Sequence, residues 1–163
     1  MNSRKDEKQG KVSGIRSELL ELLDGMGYCL DWKPDDASWC VREVVYHLLD
    51  TPPGGIHSVL QGIISGELDE FDLWSDRDNM TPERQGYYLE SIVEDIDGLF
   101  QGVERALEPA TDGDLSGKSA MVHQRNRGWD EPRTVGDLLE GLFARHWREH
   151  LGQIKELRDS LGM

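Results

Sequence analysis

The sequence predicts an all-α fold consisting of one four-helix bundle. Four segments repeat apolar residues at intervals of three or four, which is the spacing of a helix face packed against a core. Stretches rich in glycine, proline and aspartate separate these segments, and none of the four alternates as a strand would. With 163 residues, the chain has the length of one domain. We expect a flexible N-terminus over residues 1–11 and a single domain over residues 12–163.

The first predicted helix runs from about residue 12 to residue 25. Its apolar face comprises Ile15, Leu19, Leu22 and Leu23. We expect Gly25 or Gly27 to end it, because glycine readily adopts the left-handed conformation that closes many helices.

The second predicted helix spans residues 38–50, with Asp36 or Ser38 as its N-cap. The motif Thr51-Pro52-Pro53 must end or bend it, since proline lacks an N–H donor and disfavours helical geometry in the residue before it. We expect the helix to resume over residues 55–64. The acidic stretch that follows is predicted to be irregular, and it is long enough to cross from one end of a bundle to the other.

The third predicted helix has Thr81 as its N-cap and Pro82 in its first position. Its apolar stripe comprises Leu89, Ile92, Ile96, Leu99, Phe100, Val103 and Leu107. Residues 108–132 are predicted to be a long loop, and long loops in compact domains are more often functional than not. The fourth helix is predicted to start after Thr134, where Asp137 completes a capping box.

The charge of the chain restricts its partners. Its 18 basic and 32 acidic residues give a net charge of −14, so nucleic acid and anionic membrane surfaces should repel it. A secretory signal pattern is missing, as is an apolar run of about 20 residues, which predicts a cytoplasmic protein. Cys29 and Cys40 match no metal-binding CxxC spacing and are expected to be buried or free thiols.

Three histidines occupy positions where an inward helix face should be apolar. His146 and His150 are four residues apart in the fourth segment, and His47 lies on the stripe of the second. Leaving such imidazoles buried without partners would cost roughly 1–3 kcal/mol for each group, a cost that a divalent cation removes. The three histidines therefore predict a metal site. Open three-histidine sites are typical of catalytic zinc, and nickel, cobalt and iron(II) also bind them.

The remaining candidate residues each have a plain structural alternative. Glu43 and Glu149 are candidate catalytic bases, or acceptors that orient an imidazole, although helix glutamates are more often solvated. His57 and His123 are predicted to lie outside the site. Candidates for lining a substrate pocket are Trp39, Trp129 and Trp147, although tryptophans are more often packing residues. A positive patch in the long loop could hold the carboxylates of a thiol cofactor or simply balance charge, and it consists of Arg125, Arg127 and Arg133.

Two stretches of the sequence resemble the DinB-like (DinB/YfiT) superfamily of metal-binding four-helix bundles. The first is Ser38-Trp-Cys-Val-Arg-Glu-Val-Val-Tyr-His47, and the second combines Thr134-Val-Gly-Asp-Leu-Leu with His146-Trp-Arg-Glu-His150. The resemblance implies an up-down-down-up bundle with a crossover between helices two and three, and a divalent ion on the three histidines. It also implies either transfer reactions that use bacterial thiols such as bacillithiol or mycothiol, or metal-dependent hydrolysis.

These observations favour a metal-dependent enzyme that acts on a small molecule. In this hypothesis the ion lowers the pKa of a thiol or water and so produces a nucleophile at neutral pH. One alternative is a non-catalytic metal-binding or stress-related helical interaction module. Another makes the histidines structural, bonded to carboxylates across the bundle. Family analogy suggests a homodimer, with a contact through residues that could equally complete the core: Ile56, Val59, Leu60 and Ile63.

Overall fold

The structure is a computed structural model that describes residues 3–163. The helices are α1 (Arg4–Leu23), α2 (Val41–Leu49), α3 (Ile56–Ser65), α4 (Pro82–Gln85), α5 (Leu89–Leu107), α6 (Asp112–Gly117), α7 (Val135–Asp137) and α8 (His146–Ser160). A π-helical segment, Leu138–Arg145, joins α7 to α8. The strands are β1 (Glu70–Leu73), β2 (Ser119–Gln124) and β3 (Trp129–Thr134).

Helix α1 starts earlier than the sequence predicted. It begins at Arg4 rather than near Val12, because the side chain of Ser3 caps it by accepting the backbone N–H of Asp6 at 3.1 Å. The helix ends before Gly25, whose φ of 78° is left-handed, as predicted. The flexibility of residues 1–11 stays a prediction, and Met1 and Asn2 lie outside the described residues.

Helix α2 also starts elsewhere than predicted. Its N-cap is Cys40 rather than Asp36 or Ser38, and the carboxylate of Glu43 accepts the Cys40 N–H at 3.1 Å. The Ser38 hydroxyl is not free to cap, because it donates to Asp35 at 2.9 Å.

The chain breaks between α2 and α3 at Thr51-Pro52-Pro53, as predicted. The amide of Asn79 donates to the carbonyls of Tyr46 at 3.2 Å and His47 at 3.3 Å. A side chain from a distant loop therefore satisfies carbonyl groups near the end of α2.

The third predicted helix is interrupted. Thr81 and Pro82 begin the short α4 as expected, but α5 starts only at Leu89. At this break, the buried guanidinium of Arg42 donates to the carbonyl of Arg84, near the end of α4, at 2.9 Å and to that of Tyr87, which follows α4, at 2.5 Å. These bonds supply partners for carbonyls at the point where the helix is interrupted.

A three-stranded sheet departs from the strictly all-α prediction. Its order is β1-β2-β3, with β1 parallel to β2 and β2 antiparallel to β3. It occupies segments that we had predicted to be an irregular stretch and a long loop. Strand β2 buries Ala120, Val122 and Gln124. One of these residues is polar and one is small, so the alternation was too weakly apolar to identify.

The helices enclose one apolar core. Helix α3 packs on α5, α1 on α5 and α8, and α2 on α8. The residues considered for a dimer contact, Ile56, Val59, Leu60 and Ile63, are all buried in this core. The direction of each helix in the predicted up-down-down-up order stays a prediction. No helix in the described part of the chain combines the length and apolarity needed to cross a bilayer.

Candidate metal centre

Imidazoles from α2 and α8 meet in the interior of the bundle. One nitrogen from each of His47, His146 and His150 lies within 4.8 Å of the other two. The Nε2 atoms of His47 and His146 are 3.0 Å apart. The structure thus brings together residues about 100 positions apart in the sequence, as the helix stripes predicted.

Two of the imidazoles are oriented by hydrogen bonds on the side away from the cluster. His47 Nδ1 donates to the backbone carbonyl of Arg77 at 2.5 Å, and His150 Nδ1 donates to Oε1 of Gln153 at 2.7 Å. A proton held on Nδ1 leaves the lone pair on Nε2. Metal-binding histidines usually have such acceptors behind them, because the acceptor fixes both the tautomer and the ring orientation.

Burial keeps the imidazoles of His47 and His146 in their neutral form. His47 is fully buried, and burial lowers its pKa, although the Arg77 carbonyl opposes the change. Burial, and then the neighbouring His150 and His47, lower the pKa of His146 to about 3. Neutral imidazoles offer their lone pairs to a cation without first releasing a proton.

The surroundings of the cluster are aromatic on one side and acidic on another. The ring of Trp39 lies 4.9 Å from that of His47 and 6.3 Å from that of His150, centre to centre. Against the larger effect of burial, the negative charges of Asp76 and Asp78 raise the pKa of His47. Negative charge beside neutral imidazoles favours a cation at this position.

The donor set fits a divalent metal ion. Two nitrogens at about 2.0–2.1 Å from one tetrahedral ion would be about 3.4 Å apart. The observed separations, from 3.0 Å for the closest pair to a limit of 4.8 Å, bracket that value. His146 Nδ1 is buried and has no hydrogen-bond partner in residues 3–163, so the site lacks the full set of bonds that a purely structural cluster would have.

The two candidate glutamates occupy different surroundings. Glu43 bonds to the Cys40 N–H, and its carboxylate lies 3.7 Å from Lys33, so its observed contacts are those of a helix cap. Glu149 is exposed and lines a cavity together with His146. Of the two, only Glu149 faces space that a substrate can enter.

The cavity beside His146 has a volume of about 570 Å³. Its wall is built from the π-helical segment and α8 on one side and from the β2–β3 hairpin on the other. π-helical turns are rare and occur frequently at functional sites. The segment predicted to be a long loop therefore contributes to the site, but as a hairpin.

The other candidate residues lie outside the histidine cluster. His57 is half-buried in α3, and its Nδ1 has no partner in the described residues. His123 lies in β2, bonded to Asp130. Trp147 packs in the core against Phe100 and Phe143.

Cys29, Cys40 and Trp129 also lie outside the histidine cluster. Cys29 and Cys40 are buried free thiols, as predicted, and burial raises the pKa of Cys40 to about 11. A thiol that stays protonated at neutral pH is a poor nucleophile. Trp129 lies in β3, with the guanidinium of Arg133 over its ring at 5.8 Å.

Four residues of this region were not predicted from the sequence. Gln153 could have been found, because it lies three residues after His150 and so about one turn along the same helix face. Arg77 contributes only a backbone carbonyl, which no side-chain pattern reveals. Gln124 and Arg145 line the cavity, but only the fold brings them together.

The fold is similar to that of a solved protein from Bacillus subtilis. That protein, YfiT, is described as a probable metal-dependent hydrolase with an unusual four-helix bundle topology. The TM-score is 0.73 at 19% identity, and the match covers 99% of this chain and 91% of that one. The predicted resemblance to the DinB-like superfamily is confirmed as a likeness of fold. No protein-family model matches the chain.

The chain is also similar in sequence to part of a larger bacterial protein. It is 25% identical over 160 residues to protein translocase subunit SecA 1 of Mycobacterium tuberculosis and of Mycobacterium bovis. Its identity to the Mycobacterium ulcerans protein of the same name is 26%. The chain spans only 13% of the length of these relatives.

Proposed function

We propose that the protein is a divalent-metal-dependent enzyme, most simply a hydrolase, that acts on a small molecule. The observation that carries this proposal is the convergence of His47, His146 and His150 beside a cavity of about 570 Å³. The fold of YfiT, described as a probable metal-dependent hydrolase, supports the same reaction class. Zinc, nickel or iron(II) suits three imidazole ligands.

The residues of this chain would have two kinds of role: binding the metal ion and taking part in the reaction. His47, His146 and His150 would hold the ion, and Gln153 and the Arg77 carbonyl would keep two of the rings in place. When bound, the ion supplies a Lewis acid that lowers the pKa of a water or a thiol. Glu149, exposed on the cavity wall, would take up the proton.

The source of the nucleophile separates hydrolysis from thiol transfer. In hydrolysis, water attacks the electrophilic carbon, loses a proton to a base, and displaces the leaving group. In transfer, the sulfur of a low-molecular-weight bacterial thiol takes the place of water. Neither cysteine of this chain suits the role, since both are buried and Cys40 has a raised pKa.

Metal content tests the site directly. The protein is purified without a nickel column, dialysed against zinc and measured by elemental analysis. We expect about one equivalent of zinc in the native chain, and loss of the metal from His47→Ala and His146→Ala. The control is His57→Ala, which changes a histidine outside the cluster and should keep the metal. Equally low zinc in all four proteins would support the structural interpretation of the histidines.

Activity is tested with the metal-loaded protein. Chromogenic esters and amides report hydrolysis, and a chromogenic electrophile with bacillithiol or mycothiol reports transfer. Acceleration above free metal that disappears in His146→Ala supports catalysis, and the substrate set that responds identifies the reaction. If the metal-loaded protein accelerates the reaction of neither substrate set, the proposal that it is an enzyme is rejected.

A non-catalytic metal-binding module is the second candidate. The sequence similarity to SecA 1 is the observation behind it, since the match covers only 13% of that larger protein and so presents the segment as one part of a longer chain. This candidate predicts one bound ion, no turnover, and self-association or a partner. Sedimentation at micromolar concentration tests self-association, and a single species of 18.5 kDa would reject a homodimer.

A further inference from the structure

Two guanidinium groups in the wall of the cavity beside His146 have no carboxylate partner in the described residues. The cavity volume of about 570 Å³ lies within the range of about 300–1,000 Å³ typical of small-molecule sites. Arg127 and Arg145 line it. Within residues 3–163, neither guanidinium has a carboxylate in ion-pair distance, although the chain has 14 more acidic than basic residues.

Neighbouring arginines provide an internal comparison. Arg125, two residues before Arg127, has a carboxylate partner in Asp72 at 2.6 Å. Arg133, on the next strand, has one in Glu131 at 2.7 Å. Arg127 lies between them in the chain and has none. An unpaired guanidinium beside a cavity offers its planar set of donors to a ligand, and that geometry matches a carboxylate or a phosphate.

Most carboxylates in the cavity wall are already occupied. Their partners are Arg133 for Glu131, Lys8 and Lys11 for Glu140, and the backbone N–H of Thr134 for Asp137. Glu149 is the exception, and it is the candidate base. Arg127 and Arg145 therefore remain without a carboxylate partner, and the wall also keeps the negative charges of Glu149 and of Asp137, which a backbone N–H does not cancel.

A buried amide in the same wall lacks a partner. Gln124 is only 6% exposed, and its Oε1 accepts no hydrogen bond from the described part of the chain. Buried polar atoms without partners are uncommon because they lose the bonds that water gave them. A ligand that brings a hydrogen-bond donor would satisfy this atom.

We propose that this cavity binds a small molecule that carries a carboxylate or phosphate group, held by Arg127 and Arg145, and a hydrogen-bond donor directed to Gln124. The inference rests on the proposed function in taking the cavity as the substrate space beside His146. It specifies the substrate class that the metal-centre argument leaves open. The arginines would bind the anionic end and so leave the opposite end near the imidazoles.

Calorimetric titration of the full chain at low ionic strength tests the proposal. The probes are succinate, inorganic phosphate and succinamide, which is the uncharged counterpart of succinate. The test variant combines Arg127→Gln with Arg145→Gln. The control combines Arg125→Gln with Arg148→Gln and removes the same charge from two arginines that are paired with Asp72 and Glu18.

We expect one of the two anions to bind and succinamide not to bind. The test variant should weaken anion binding by about tenfold or more, and the control by less than about twofold. Whether succinate or phosphate binds identifies the anionic group. Phosphate carries a hydroxyl that can donate to Oε1 of Gln124, so phosphate binding should shift the side-chain amide signal of Gln124 in the NMR spectrum of the native chain. Succinate has no such donor at neutral pH and tests the arginines alone.

Three results would overturn the proposal: no binding of either anion, equal binding of succinamide, or equal weakening in the two double variants. Zinc content is measured on the same proteins, so that the two proposals fail separately. Anion binding without zinc binding would support the anion site in the cavity and reject the metal centre. Zinc binding without anion binding would support the metal centre and reject the anion site.

Discussion

An imidazole that gives one nitrogen to a metal needs an acceptor for the proton on the other, and the side chain of Gln153 is placed to be that acceptor for His150. The separation of 2.7 Å between Gln153 Oε1 and His150 Nδ1 is that of a good hydrogen bond. In the proposed centre, Gln153 would therefore be a positioning residue that acts on a bound ion only through the ring of His150.

Replacing Gln153 by alanine should weaken metal binding. The ring of His150 would lose its fixed tautomer and orientation, and loss of such a partner typically costs about 10–100-fold in metal affinity. Competition with a chelator measures the affinity. Gln153→Glu should retain or strengthen binding, because a carboxylate also accepts the bond. Gln101→Ala, an exposed position on α5, is the control. Equal affinity in Gln153→Ala and Gln101→Ala would show that the ring needs no such support.

At the residue scale, the sequence predicted the side chains whose position follows from helix periodicity. His47, His146 and His150 meet because each lies on the inward stripe of its helix. The Arg77 carbonyl was beyond such reasoning, because a loop conformation rather than a residue type places it. Gln124 was also missed, since a polar residue at a buried strand position has no periodic signal.

Helix α5 contains two glycines that should respond to the same substitution in opposite ways. A methyl group at Gly102 would lie 2.5 Å from Cδ2 of His57 and 3.0 Å from its Cβ. Because Cβ is attached to the backbone, a change of rotamer alone would not remove the close contact. At Gly98, nothing lies within 4 Å. The two sites share one helix and differ in the neighbour they face.

We expect Gly98→Ala to stabilise the protein by roughly 0.5–1 kcal/mol, through the helix preference of alanine. Gly102→Ala should have the opposite sign, because overpacking of about 1–3 kcal/mol exceeds that gain. Urea unfolding of both variants measures the difference. Stabilisation of similar size in both would mean that His57 moves aside at little cost.

The three strands are connected by a histidine whose charge depends on pH. His123 on β2 bonds to Asp130 of β3 at 2.7 Å and to Glu70 of β1 at 3.2 Å. The bond to Asp130, followed by that to Glu70, raises the pKa of His123, and Arg125 opposes the change. Only the protonated ring can donate to both carboxylates at once.

The stabilising effect of His123 should therefore be present at low pH and lost at high pH. Its pKa in the folded state lies above the unfolded value of about 6.5, so the effect is complete below about pH 6.5 and disappears as pH rises through the folded pKa. Urea unfolding of His123→Gln and the native chain across this range measures it.

His57 provides the control of opposite sign. Burial lowers its pKa, so its contribution is present above about pH 6.5 and is lost as pH falls. A His123→Gln difference that does not change with pH, or that changes in the same direction as His57→Gln, would contradict the assignment.

At the scale of elements, boundaries followed the sequence where a local signal exists. Thr134 and Asp137 form the predicted capping box, and the break at Pro52 is where the sequence placed it. Boundaries set by tertiary contacts were wrong. Arg42 interrupts the third predicted helix through bonds to carbonyls more than forty residues away, which no local pattern contains.

For the whole molecule, the bundle and its inward histidines were predictable because both depend on a 3.6-residue period that the sequence displays. The sheet was not, because its three short strands pair over long distances and β3 is largely polar. The cavity depends on that sheet. The sequence could therefore indicate the candidate metal ligands but not the space in which a substrate would lie.

A metal ion shared by α2 and α8 would connect two helices at the centre of the bundle, so its binding should stabilise the entire fold. Free zinc at about 100 times its dissociation constant adds about 2.7 kcal/mol when only the folded chain binds it. For a domain of this size, about 2–4 °C per kcal/mol predicts a rise in Tm of about 5–11 °C. Thermal unfolding with and without zinc measures the rise.

The variants of the histidines decide whether the rise comes from the proposed centre. His47→Ala removes the only ligand on α2 and should abolish the rise, because His146 and His150 alone belong to one helix and cannot connect two. His123→Ala should retain it, since that ring is bonded within the sheet. A rise that persists in His47→Ala, or that disappears in His123→Ala, would place the stabilising zinc outside the bundle's centre.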